Sequence, residues 1–314
     1  MENNNCTRDC LKKRAKCKYA QKDLLRHLIK LNSPYADKYD DTLQCSSTLI
    51  QNGDQLTSRY CNHRWCRVCN RIRTAKLMKG YKNALEAMED PYFVTLTIRN
   101  VKIEDLRPAI KDMIATIRKI QDLRRKKEIP LMQCIRKIEC TYNPDTDTYH
   151  PHFHLIIDKE NVARELLNAW LIRYPEQSEI WGQDITKAFD PIELFKYFTK
   201  LTAKSKTDEK IHVKGMLINK EYHYPEALDL IFRAIEGIRI IQPMGGIKYV
   251  KDEIDGIEVQ TIEDVEESKT IWMFQRNDWV DMSTGELLTG YEPTPEEYNY
   301  SKRIRYFADL QDTT

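Results

Sequence analysis

Apolar and polar residues alternate in different rhythms along the chain, and the rhythms predict its elements. Leu24, Leu25, Leu28, Ile29 and Leu31 recur at helical spacing near the N-terminus. Phe93-Val94-Thr95-Leu96-Thr97-Ile98 is β-branched and apolar, and predicts a strand. Leu106, Ile110, Met113, Ile114, Ile117 and Ile120 predict a long amphipathic helix that ends in the basic run Arg124-Arg125-Lys126-Lys127. Leu131 to Tyr142 reads as a second strand, with Ile135, Lys137, Glu139 and Thr141 on one face. Asn143-Pro144-Asp145-Thr146-Asp147 is turn chemistry. It leads straight into Tyr149-His150-Pro151-His152-Phe153-His154-Leu155-Ile156-Ile157, so the two strands are expected to form a hairpin.

Further on, Val162, Leu166, Ala169 and Trp170 mark the inner face of a helix over 161–174, and a short strand is expected around 184–189. Asp190-Pro191 starts another helix, a cap followed by proline in the first turn. The signal then fades. A helix over 228–235 and short strands or loops near 237–241 and 246–250 are expected. Residues 252–267 read as an acidic linker, and Trp272, Phe274 and Trp279 as a small ordered patch.

The histidine strand carries the first chemistry. Three of the chain's seven histidines fall within five residues. Period-two alternation points His150, His152 and His154 one way and Pro151, Phe153, Leu155 and Ile157 toward a core. Imidazoles side by side on one face of a rigid strand make a half-site for a divalent metal. Glu139, across the hairpin ladder, lies within reach of the same ion. On the helix after Asp190, Glu193, Tyr197, Lys200 and Lys204 form one polar stripe.

The chain has 314 residues, 41% hydrophobic and 31% charged, enough for two modest domains. No run of about 18 apolar residues exists, and the first residues lack the apolar stretch of a signal peptide. A cytoplasmic protein is expected, and its nine cysteines are then read as thiols or metal ligands rather than disulfides. Residues 1–90 hold 18 Lys/Arg against 10 Asp/Glu, about +8, whereas the net charge of the whole is only +2. A basic first third suggests an anionic partner, with nucleic acid the usual one. The run of Arg8, Lys12, Lys13, Arg14, Lys16 and Lys18 reads as a solvated tail or a phosphate-contacting arm.

Cys66-x-x-Cys69 chelates one ion from a tight turn, and Cys61 with Cys45 or His63 would complete a tetrahedral Zn²⁺ site. Arg64, Arg67, Arg71 and Arg73 run through and past this cluster as expected DNA contacts. The expected organisation is therefore a basic Cys-rich region at 1–90, a nuclease-like domain at 91–250, and a segment of unassigned role at 251–314.

Together these parts suit phosphodiester cleavage. A metal at His152, His154 and Glu139, with His150 as a further candidate, stabilises charge on the scissile phosphate. Tyr197, its phenolate favoured by Lys200, attacks phosphorus and leaves a 5′-phosphotyrosine and a free 3′-OH. Glu193 is placed to act as base for a later attack.

Three motifs, Phe93-Val94-Thr95-Leu96-Thr97, His150-Pro151-His152-Phe153-His154-Leu155-Ile156-Ile157 and Tyr197-Phe198-Thr199-Lys200, resemble those of the rolling-circle replication initiators of bacterial plasmids, within the HUH-endonuclease superfamily. The Cys61–Cys69 cluster looks like the cysteine-rich stretch of one branch, in which a glutamate placed as Glu193 is linked to terminating the cycle. The resemblance spans roughly residues 45–250. It implies an α+β fold, an antiparallel sheet flanked by helices and related to the ferredoxin-like βαββαβ arrangement. The histidine strand would be central, with the tyrosine helix across it. It also implies Mn²⁺ or Mg²⁺ at the nuclease site, single-stranded or hairpin DNA at a replication origin as substrate, and host helicase and polymerase as partners. A single-strand transposase or mobilisation relaxase is the nearest alternative. A non-catalytic zinc-dependent DNA-binding regulator and an unrelated HxH metallohydrolase are more distant ones.

Overall fold

A computed structural model describes residues 8–190, 203–205, 210–213, 216–219, 222–254, 257–261 and 269–307. In chain order the elements begin with α1 (Arg8–Lys30), α2 (Ala36–Gln44), β1 (Thr48–Asn52), β2 (Gln55–Arg59) and α3 (Arg67–Glu86). There follow β3 (Pro91–Thr97), α4 (Ile103–Lys126), β4 (Cys134–Asn143), β5 (Thr148–Asp158), α5 (Glu160–Arg173) and β6 (Asp184–Lys187). The remainder is β7 (Ala203–Ser205), β8 (Lys210–Val213), β9 (Met216–Asn219), α6 (Pro225–Ala234), β10 (Ile241–Met244), β11 (Ile257–Thr261), β12 (Lys269–Gln275), β13 (Asp278–Asp281) and α7 (Pro295–Tyr298). The chain divides into two compact units, 1–75 with 252–305, and 76–251 with 306–314.

The first unit is built on a five-stranded sheet in the order β11-β2-β1-β12-β13, antiparallel throughout. Leu49 and Gln51 on β1 alternate with exposed residues, and Leu56 and Ser58 on β2 with less buried ones, so one face of the hairpin turns inward with both leucines on it. α1 covers it with Leu11 and Ala15, and Trp272, Trp279, Leu288 and Tyr291 complete the core. Burying each large apolar side chain contributes roughly 1.5–3 kcal/mol. Trp279 is fully buried, and its indole N–H donates to the Ser46 carbonyl at 2.9 Å.

Two expectations change here. Arg8 to Lys18 are neither a tail nor a free arm. They form the first half of α1, where Arg14 and Lys18 turn inward. The Arg14 guanidinium donates to Tyr60 Oη at 2.8 Å, and Lys18 Nζ to the Cys45 carbonyl at 2.6 Å. The stretch read as an acidic linker contains β11. Its Ile257, Val259 and Thr261 do alternate with polar residues, but the surrounding acids obscure the pattern.

The second unit runs β3-α4-β4-β5-α5-β6, and its sheet has the order β10-β4-β5-β3-β6. All neighbours along this path are antiparallel, and β7 joins β4 in parallel. This is the βαββαβ arrangement that the resemblance of the motifs implies. Leu106, Ile110, Met113 and Ile117 form the buried stripe of α4, and Ala163, Leu166 and Trp170 that of α5. Phe153 of β5 meets Trp170 with ring centroids 5.9 Å apart, so both helices cover the same face. β4 and β5 pair over ten residues, Cys134↔Ile157 to Asn143↔Thr148. A one-residue slip would carry every side chain of β5 to the wrong face, so its apolar half holds the register. β5 is thereby central, and its histidines face away from α4 and α5.

Candidate metal centres

The hairpin register sets Glu139 opposite His152 and Lys137 opposite His154. On the other side of β5, Thr95 faces His154 and Thr97 faces His152. The backbone alone thus gathers two imidazoles and a carboxylate on one sheet face. Ligand atoms of Glu139, His152 and His154 all lie within 4.8 Å of one another. His152 Nδ1 donates to the His150 carbonyl at 3.0 Å, so its Nε2 carries the lone pair. His154 Nδ1 shares a hydrogen bond with Thr95 Oγ1 at 3.2 Å, its ring stacks on Phe93, and its Nε2 lies 3.8 Å from Glu139 Oε2. In both rings Nδ1 is held by a hydrogen bond, and for His154 the other nitrogen lies toward the carboxylate, the orientation a metal ligand requires.

The electrostatics favour the same state. Burial pushes the His152 pKa down to about 4, against the opposing pull of Glu139. The imidazole is therefore neutral and able to ligate at physiological pH. Glu139 is buried and pairs with the equally buried Lys137, Nζ to Oε2 at 2.9 Å. A carboxylate held in a sheet core is expensive without such a partner. Lys137 was legible in the sequence as a neighbour on the face, but not as the counter-ion. Two nitrogens and one oxygen are a donor set that could hold a divalent metal ion.

His150, the third expected histidine, is not in this group. It sits toward the turn end of β5, where its Nδ1 lies 2.9 Å from Asn100 Oδ1. Its ring stacks against that of His152 at 5.3 Å. Tyr197, Lys200 and Glu193 lie outside the described residues.

The second centre joins three separate pieces of the first unit. Cys45 follows α2, Cys61 follows β2, and Cys66 and Cys69 sit at the start of α3. Their sulfurs also lie within 4.8 Å of one another, Cys45 to Cys69 at 3.5 Å and Cys61 to Cys69 at 3.7 Å. Of the two residues left open as fourth ligand, Cys45 is the one brought in. His63 turns away, stacks on Trp65 and faces Asp41 at 3.8 Å. All described cysteines are free thiols. Hydrogen bonds from its three neighbours hold the Cys61 thiol well below its usual range, while burial pushes Cys66 up. The buried Lys18 ammonium, brought down to about 8 by desolvation, is supported by the charge of these same cysteines.

The arginines around the cysteines are engaged inside the unit. Arg64 pairs with the buried Asp252, and Arg67 donates to Tyr300 Oη at 2.9 Å. Arg73 is buried and donates to the carbonyls of Asn62 and His63 at 2.5 and 3.3 Å. It therefore fixes the loop that carries Cys61. Arg71 is half-buried on α3. Sequence reasoning missed the structural use of Arg14, Lys18 and Arg73, because a basic run does not say which of its members faces inward.

Comparison with known proteins bears on both centres. A family model described as "Replication protein" (Rep_1) matches residues 53–282, a span that covers three of the four clustered cysteines and all of the Glu–His–His group. A "Protein rep" of Bacillus sp is 30% identical over 176 residues, 52% of this chain and 56% of that protein. One of Bacillus amyloliquefaciens is 30% identical over 52% of this chain and 51% of its own length. One of Staphylococcus aureus is 36% identical over 133 residues, 40% and 56% of the two chains. The chain spans about half the length of the curated relatives it matches. No solved structure matches. The family agrees with the resemblance carried by the three motifs, and residues 53–282 exceed half the chain: it belongs to the Rep_1 family of replication proteins.

Proposed function

We propose that this chain is a rolling-circle plasmid replication initiator that nicks and rejoins one DNA strand at its origin. One observation carries the reading: Glu139, His152 and His154 converge on one face of a central strand in a member of a replication-protein family. A divalent ion there, Mn²⁺ or Mg²⁺, would polarise the scissile phosphate and offset its developing charge. Everything else is done by the chain. Glu139, His152 and His154 hold the site, and Lys137 pairs with the Glu139 carboxylate. Tyr197 Oη bonds to phosphorus as the P–O3′ bond breaks, the phenolic proton passing through water to the leaving oxygen. The products are a 5′-phosphotyrosine and a 3′-OH that primes synthesis. Lys200 favours the phenolate, and Glu193 serves as base when water or a second 3′-OH releases the protein.

The four cysteines suit Zn²⁺ in a structural role, since no open ligand position is left. Arg71 is the candidate phosphate contact of the Cys-rich region, because the other three arginines already bind partners within the unit. Single-stranded or hairpin origin DNA is the substrate, and host helicase and polymerase are the downstream partners.

The test is incubation with Mn²⁺ and single-stranded origin oligonucleotides, followed by denaturing electrophoresis. A DNA–protein adduct is expected, and Tyr197→Phe is expected to abolish it while DNA binding persists. An adduct that survives the change refutes the nucleophile. Cleavage without an adduct points to a metallohydrolase, and DNA binding with no cleavage to a zinc-dependent regulator. Strand transfer into non-origin DNA points to a transposase or relaxase.

A further inference from the structure

We propose that the second unit carries a phosphate-binding cleft on the helix-covered side of its sheet, away from the Glu139–His152–His154 face. Strand residues alternate, so with Lys137 on the metal face Arg136 points to the other. There its guanidinium lies 4.8 Å from the Phe153 ring centroid. It lines a cleft of about 480 Å³ together with Lys111 and Arg118 of α4, and Ile238, Arg239 and Gln242 around β10.

Every charged residue that lines this cleft is a cation, and no carboxylate joins them. Arg136 is 3% exposed. Its Nη2 donates to the Arg239 carbonyl at 3.1 Å, while its Nη1 is buried and has no hydrogen-bond partner among the described residues. A buried guanidinium with an unused donor and no counter-ion is costly unless something anionic meets it. The rim cations Lys111, Arg118 and Arg239 are exposed, so they can shift to admit a ligand down to Nη1. Four cations exceed what one carboxylate would balance. The planar guanidinium fork matches phosphate oxygens, and the volume falls in the range of small-ligand sites. A phosphate group is the ligand, either a diester of a DNA backbone or the phosphate of a free nucleotide. Binding in this cleft does not depend on the nicking chemistry.

The experiment measures binding of inorganic phosphate, a deoxynucleoside triphosphate and a single-stranded oligonucleotide to the full chain without added Mn²⁺. Wild type is compared with the double variant Lys111→Ala, Arg118→Ala, whose side chains are exposed and leave the core intact. A loss of at least about tenfold in affinity for a phosphate-bearing probe, with Tm unchanged, is expected. If the backbone is the ligand, the salt dependence of oligonucleotide binding falls by roughly 0.7 in slope for each phosphate that is no longer neutralised. If a free nucleotide is the ligand, triphosphate binding is lost and that slope stays put. Arg136→Lys, which keeps the cation but removes the fork, is expected to weaken the same probe. Equal affinities in wild type and double variant for every probe, or no binding of any probe, overturn the proposal.

Discussion

The four cysteines of the first unit and the Glu139–His152–His154 group of the second differ in what holds them in place. The cysteines come from three chain segments, and the buried cluster around them contains little else: Tyr60, Val68, Ile72 and Ile254. Their neighbours cannot position them without one another. The histidines stand on one strand whose far face is locked by Phe153, Leu155 and the helices above it. Their geometry exists before any ion arrives. A closed four-sulfur set is thus expected to support folding, and an open three-ligand set to support chemistry.

The sharpest way to break this contrast is to remove each ion. Cys66→Ser with Cys69→Ser is expected to lose the bound metal, on the order of 10 kcal/mol of binding free energy, and with it amide protection across residues 45–73. Metal analysis and hydrogen exchange read both. A variant that keeps its protection would make the two centres alike. His154→Ala should instead leave the second unit folded by circular dichroism and abolish Mn²⁺-dependent cleavage.

Glu139→Ala tests where the second centre does couple to stability. It removes the Glu139 partner of the buried Lys137 ammonium, and a cost of about 3–5 kcal/mol is expected in denaturant unfolding. Glu139→Ala with Lys137→Met should recover much of it, whereas metal affinity should stay low.

Acid gives a comparable but smaller effect. His152 is held at about 4 when folded, against an ordinary value of 6.5. Below pH 6.5 the unfolded chain takes up a proton that the folded one refuses until about pH 4. Stability of the metal-free protein is therefore complete above pH 6.5, and is lost by about 3 kcal/mol as pH falls to 4. A flat profile in His152→Gln would assign this slope to His152.

The smallest effect separates two neighbours on one strand. His150→Ala should change Mn²⁺ affinity by less than about threefold, whereas His154→Ala, which removes a ligand, should cost more than the roughly 10–100-fold typical of losing an outer partner. Equal losses would place His150 among the ligands.

Much of the second centre was legible because its information is local. Alternation fixed which way the histidines point, and a short turn with an apolar stripe on each strand fixed the hairpin register, so Glu139 could be set beside them before any fold was known. The same periodicities gave a strand–helix–strand–strand–helix order, compatible with the βαββαβ arrangement that the motif resemblance implies. The first unit was less legible for the opposite reason. β1 pairs with β12, more than two hundred residues later in the chain, and nothing local in Thr48–Asn52 names that partner.

By itself, then, the sequence determined the elements from β3 to α5, the faces of the histidine hairpin and the cysteines available for a site, since each depends on neighbours within a few residues. Only the tertiary structure decided that Cys45 rather than His63 closes the sulfur cluster, and that Lys137 is the counter-ion of Glu139. It alone showed that Arg14, Lys18 and Arg73 are spent on the interior while Arg136 is left with an open donor. Those outcomes depend on which segments meet in space and which charges they exclude from water, and no periodicity along the chain records that.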